Sequence, residues 1–156
     1  VYAGINRVGV GAFVMSIHHP NEGGRPAVFR STRMGSVLGG KTGGVTLGGG
    51  IAAEADALIS NNVIEDAKDF GICMGWGPYA RNLSAQGNLI RNCGTGIMAS
   101  VTDGAGQSYI AHNIISGAKL AAIMGMDHLE AKTDDLGRPD AKVPDQILLK
   151  DNIIRA

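Results

Sequence analysis

Five short polar or aromatic runs hold the residue types that can do chemistry. They are His18-His19-Pro20-Asn21-Glu22, Glu54-Ala55-Asp56, Trp76-Gly77-Pro78-Tyr79-Ala80-Arg81, Thr102-Asp103-Gly104 and Asp127-His128. A carboxylate pair such as Asp103 with Asp127 can bind Ca²⁺, or act as acid and base in glycoside cleavage. β-Elimination on a polyuronide needs a base and a cation to stabilise the enolate, and Arg81 is the arginine placed for that. Trp76 and Tyr79 stand out because aromatics are 4% of the chain. Exposed rings stack on sugar faces, so Trp76, Tyr79, His128 and His18 are the candidate substrate-binding residues. The plainer alternatives stay open. Trp76 can pack over the adjacent turn with Tyr79 closing it, and the carboxylates can be solvated turn residues. His18-His19 does not form a metal pair, because neighbours on a strand point to opposite faces. No metal site is assigned, and no cofactor other than possible Ca²⁺ is implied.

These runs recur in step with a repeat, and the repeat must position them. Ile59-Ser60-Asn61-Asn62-Val63-Ile64 returns as Ala85-Gln86-Gly87-Asn88-Leu89-Ile90 and as Ile110-Ala111-His112-Asn113-Ile114-Ile115. Asn62 and Asn88 are 26 positions apart, and Asn88 and Asn113 are 25 apart. Gly71-Ile72, Gly96-Ile97 and Ala122-Ile123 keep the same time. The apolar bursts are two to four residues long and no helical stripe appears, so short strands and tight turns are predicted. About 25 residues is too short for a propeller blade, and the leucine-rich pattern is missing. A β-sandwich would not hold the same residue types in step. The expected fold is therefore all-β: a single-stranded right-handed parallel β-helix, a solenoid of about 25-residue coils. Its hand follows the general crossover preference.

In that fold Asn62, Asn88, Asn113 and Asn152 form one column at a coil corner, each before an apolar pair. Asn tolerates the left-handed conformation, and stacked amides bond along the stack. This column is read as a structural ladder rather than a ligand site. Cys73 aligns with Met98 and Met124, and Cys93 with Ala67 and Ala118, so both are read as small core residues rather than a disulfide or metal pair.

The chain reads as one domain over residues 1–156. Asn113 and Asn152 are 39 apart, which marks residues 127–145 as an inserted loop on one face. Residues 30–50 are rich in glycine and are expected to leave the regular stack. Fourteen basic and fourteen acidic residues cancel, which argues against nucleic-acid binding. No apolar run is long enough to span a membrane. No sequence feature fixes an oligomeric state. Neither end carries the cap a stack of repeats needs, so the chain is expected to be a piece of a longer protein.

Asn21-Glu22-Gly23-Gly24-Arg25, Ala53-Glu54-Ala55-Asp56, Gly75-Trp76-Gly77-Pro78-Tyr79 and Gly87-Asn88-Leu89-Ile90-Arg91 carry a family likeness. The chain resembles the C-terminal part of the twin-arginine-translocated uncharacterised repeat proteins, exported bacterial proteins with pectate-lyase-like parallel β-helix repeats. The resemblance covers nearly the whole chain. It implies export to the periplasm or beyond the cell, and an N-terminal Tat signal outside this chain. It supplies no catalytic motif. Two functions remain: polysaccharide binding or processing, by a lyase or a glycoside hydrolase if catalytic, and a non-catalytic envelope or surface scaffold that binds protein partners.

Overall fold

In the computed structural model, residues 49–156 are described in full, and before residue 49 only the backbone of the first five strands is described. In chain order the strands are β1 (Val14–Ser16), β2 (Ala27–Arg30), β3 (Arg33–Met34), β4 (Gly40–Thr42), β5 (Val45–Leu47), β6 (Gly49–Ala53), β7 (Ala57–Ser60), β8 (Val63–Glu65) and β9 (Phe70–Met74). They continue as β10 (Leu83–Gln86), β11 (Leu89–Arg91), β12 (Thr95–Ser100), β13 (Ser108–Ala111), β14 (Ile114–Ser116), β15 (Ala121–Asp127), β16 (Glu130–Ala131), β17 (Ile147–Lys150) and β18 (Ile153–Arg155).

Among the described residues these strands form four sheets. The first runs β1-β6-β9-β12-β15-β16, the second β17-β13-β10-β7-β2, the third β18-β14-β11-β8-β3, and β4-β5 stands apart. Neighbours in the second and third sheets pair in parallel, as do β1 through β15 in the first. The two remaining pairings, β15 with β16 and β4 with β5, are antiparallel.

The expected single-stranded right-handed parallel β-helix of uniform coils is therefore corrected. The architecture is a mixed one of separate sheets, mostly parallel, with antiparallel pairing in two places. Each departure has a local cause. Two glycines separate β4 from β5, a spacing that suits a hairpin. Beyond β15 the chain turns back on the open sheet edge. Gly125 N–H donates to Thr133 Oγ1 at 2.9 Å, and Ile123 N–H donates to Asp135 Oδ1 at 3.1 Å. Lys132 N–H and Leu136 N–H donate to Gly125 and Ile123 carbonyls at 2.9 and 2.8 Å. Side-chain oxygens thus meet N–H groups that an unpaired edge would leave open. Buried Leu136 pins the segment to the core.

The core lies between the three larger sheets, and the register builds it. Ile51, Ile72, Ile97 and Ile123 are in line on β6, β9, β12 and β15, and all are fully buried. Ile64, Ile90 and Ile115 repeat this on β8, β11 and β14. Each buried Ile contributes about 1.5–3 kcal/mol over an exposed one. The small residue before each Ile of the first column is dictated by space. A Cβ on Gly96 would lie 2.5 Å from the Ala122 carbonyl oxygen and 2.6 Å from Ile115 Cγ2. Cys93 belongs to this core, whereas Cys73 sits half-buried in a separate cluster with Phe70, Met98 and Met126. Cys73 thus packs against a second core cluster rather than the main one.

The asparagine column runs along one corner. Asn62 Nδ2 donates to Asn88 Oδ1, Asn88 Nδ2 to Asn113 Oδ1 and Asn113 Nδ2 to Asn152 Oδ1, each at 2.9 Å. Each acceptor also takes a backbone N–H from the layer before, at 3.0 Å. Asn88, Asn113 and Asn152 each donate to a backbone carbonyl as well, those of Ile59, Ala85 and Ile110. The left-handed residue at this corner is not the ladder Asn but the one before it: Asn61, Gly87, His112 and Asp151 have φ of 56°, 63°, 55° and 49°.

Candidate functional site

Three adjacent strands of the mixed sheet, β9, β12 and β15, end side by side. The chain leaves β9 through Gly75, at φ +87°, and reaches Trp76. A single 3₁₀ turn, Gly77–Tyr79, follows, with Pro78 at its start. Proline's fixed φ suits that position. β12 leads into a turn over Thr102–Ala105, closed by Ala105 N–H donating to the Thr102 carbonyl at 2.9 Å. β15 ends at Asp127, and His128 follows at φ +53°.

These ends meet in one cluster. The Thr102 hydroxyl donates to Asp127 Oδ1 at 2.8 Å. His128 Nδ1 lies 2.7 Å from the same oxygen. An ionised carboxylate only accepts, so Nδ1 carries the hydrogen. The His128 ring meets Trp76 edge to face, with centroids 5.2 Å apart and planes at 88°, a favoured aromatic geometry. The Ser100 hydroxyl donates to the Gly77 carbonyl at 2.8 Å and ties the 3₁₀ turn to β12. Gly77 has φ +59°, and a Cβ there would lie 2.6 Å from His128 Nε2. Only glycine fits both the backbone and the ring above it.

Electrostatically the cluster favours an ionised Asp127. Its pKa lies below the ordinary 3.8, first because Thr102 donates to it and then because His128 does. Both donors use Oδ1; Oδ2 has no partner among the described residues. Trp76, whose ring meets His128, is 41% exposed, and Tyr79, at the end of the 3₁₀ turn, is 55% exposed. The result is a shallow strip of two accessible rings and an open carboxylate oxygen.

The other predicted site residues fall elsewhere. Asp103 is exposed on the 102–105 turn, and no hydrogen bond or ion pair holds it among the described residues. The hydrogen-bond partners of Asp127 are Thr102 and His128, and Asp103 shares neither of them among the described residues. Arg81 is engaged by Asp56: its Nη2 and Nε donate to Asp56 Oδ2 at 2.7 and 3.1 Å. That bond is the main cause that raises the Arg81 pKa. Asn82 Nδ2 adds a bond to Asp56 Oδ1 at 2.9 Å. Arg81 is thus part of a separate ion-pair cluster. His18 lies outside the described residues. Among the described residues no group of three or more His, Cys, Asp or Glu side chains could hold a metal ion. Also among them, no helix is long and apolar enough to cross a membrane.

Thr102, Ser100 and Gly77 carry the cluster's internal bonds without having been chosen as site residues. Their signal was the register: Ser100 stands opposite Met126, one residue before Asp127, which sets the residues after it beside Asp127 and His128. Comparison with protein-family models, curated proteins and solved structures yields no match to this chain.

Proposed function

We propose that the Trp76–Tyr79–Asp127–His128 strip binds carbohydrate and that the protein is a non-catalytic glycan-binding repeat protein. The observation that carries this reading is the pairing of exposed rings with an ionised carboxylate whose Oδ2 is open. Rings offer apolar faces to a sugar, and the free oxygen accepts from its hydroxyls. Thr102 and His128 hold the carboxylate in place, so little side-chain freedom is lost on binding. Binding is favoured over catalysis because Arg81, the cation that would stabilise an enolate, is held by Asp56. The resemblance to the twin-arginine-translocated repeat proteins supports an exported location, where extracellular polysaccharides are met. The zero formal charge supports a partner other than nucleic acid.

The test is retention on immobilised polysaccharides by affinity electrophoresis, neutral and acidic, with product analysis of the same mixtures. Retention without fragment release supports binding. Fragment release that Asp127→Asn abolishes would replace it with a catalytic reading.

A further inference from the structure

An apolar groove on the same mixed sheet begins where the carbohydrate strip ends. It holds about 440 Å³, within the range of ligand sites. Its direction follows from the register. Phe70, Thr95 and Ala121 are in line at the start of β9, β12 and β15. Lys68, Asp69 and Leu120, just before those strands, therefore stand at that end of the groove. Met98 and Met124 pair halfway along. Met126 and Ala131 pair at the far end, where β15 turns back into β16. From Leu120 to Met126 is six residues, a span of about 20 Å.

Apart from Lys68, Asp69 and Thr95 the lining is apolar. Phe70, Met98 and Met126 are buried, whereas Leu120 and Leu129 at the rim are 75% and 53% exposed. Methionine has three rotatable bonds and adapts to what it packs against. The polar lining stands at one end only. A peptide laid along the groove would bury amides without partners, which is costly. An aliphatic chain has no such groups and would cover both leucines. The far end joins the strip through four consecutive residues. Met126 and Leu129 line the groove. Asp127 and His128, between them, belong to the strip, with His128 against Trp76. A ligand that fills both places has a sugar head and an apolar tail.

We propose that the site takes a saccharide carrying an aliphatic tail. The sugar lies on Trp76 and Asp127, and the tail runs along the groove toward Lys68 and Asp69. This names the ligand class of the strip and rests on its reading as a carbohydrate site.

Calorimetry with hexyl and decyl maltoside, both below micelle-forming concentration, reads the effect of the tail. The decyl ether of tetraethylene glycol is the sugar-free probe. Trp76 is the one tryptophan of the protein, so its fluorescence reports occupancy of the strip. Full burial of one methylene raises affinity about fourfold. The four extra methylenes of decyl maltoside should therefore give at least about tenfold in an open groove. Leu120→Ser combined with Leu129→Ser should cut this ratio severalfold. Both residues are exposed, so the fold is kept, and melting curves check this. Trp76→Ala should weaken both maltosides by the same factor and leave the ratio intact. Equal affinity for the two maltosides, or a ratio untouched by the leucine replacements, would overturn the proposal and leave the carbohydrate strip standing. A glycol ether that binds as tightly as decyl maltoside, with no effect of Trp76→Ala, would overturn it from the other side, because the strip would then not read the sugar.

Discussion

The asparagine ladder and the Trp76–His128 strip use similar polar groups in opposite ways. Asn62, Asn88 and Asn113 are buried, and the ladder's amides bond from layer to layer and back to the chain. The strip is partly exposed, and Thr102 and His128 both bond one oxygen of its carboxylate, Asp127 Oδ1, leaving the other open. A buried polar group without a partner is expensive, so the ladder is a structural device. A half-satisfied, partly exposed carboxylate costs little by itself and is available to a ligand. Burial and bonding, rather than residue type, separate the scaffold from the surface that can bind.

The largest test of this contrast is Asn88→Ala. It takes the acceptor from the Asn62 backbone and side-chain N–H groups, and the donor from Ile59 and Asn113 oxygens. Each group orphaned in a buried site costs about 1–3 kcal/mol. Denaturant unfolding should show a loss of about 3 kcal/mol or more. A change no larger than that of an exposed-site substitution would remove the ladder from the account.

Trp76→Ala should do the reverse. Stability should fall little, since the ring is 41% exposed. Glycan affinity should fall by at least about 2 kcal/mol, as for the anchor of an interface. Equal retention by the variant and the parent protein would make Trp76 a packing residue.

Gly77→Ala should lie between these in effect. The φ of +59° is strained for alanine, and the new Cβ meets the His128 ring. Backbone strain of this kind costs about 1–3 kcal/mol. Displacement of the ring should appear as a change in Trp76 fluorescence, because His128 meets Trp76 edge to face.

The smallest effect concerns pH. The Asp127 pKa is lowered in the folded protein, chiefly by the Thr102 hydroxyl. A lowered carboxylate pKa contributes stability that is present above the unfolded value, and this is lost as the pH falls through the folded value. Thr102→Val should move the Asp127 titration up toward 3.8, so that the contribution is lost at a higher pH on acidification. Carbon NMR of the carboxyl group follows this directly. No upward movement would show that His128, not Thr102, sets the value.

The ladder was legible because its signal is one residue type at one interval. Hydrogen bonding between layers constrains both, so they recur together. The φ assignment at the corner was displaced by one position, because both the ladder Asn and the residue before it are polar in several layers. The antiparallel return of β16 was hidden for a different reason. The repeat pattern ends where the insertion begins, and its pairing depends on single oxygens of Thr133 and Asp135. Spacing brought the Trp76, Thr102 and Asp127 runs to one edge, but did not say which side chains turn toward one another. Asp103 looked equal to Asp127 in sequence. The tight turn over Thr102–Ala105 places Thr102, not Asp103, against Asp127. The register of Cys73 with Met98 and Met124 was visible as an alignment. Its location on the outer face of the sheet was not, since residues on the two faces of these short strands are both apolar.

The most direct test of the contrast is a glycan-array screen of the chain and its Trp76→Ala variant, both shown to be folded by their melting curves. The account predicts glycan binding by the parent chain, and loss of binding in the variant with little change in melting temperature. A blank array for the well-folded parent chain would contradict it and leave the strip as surface packing.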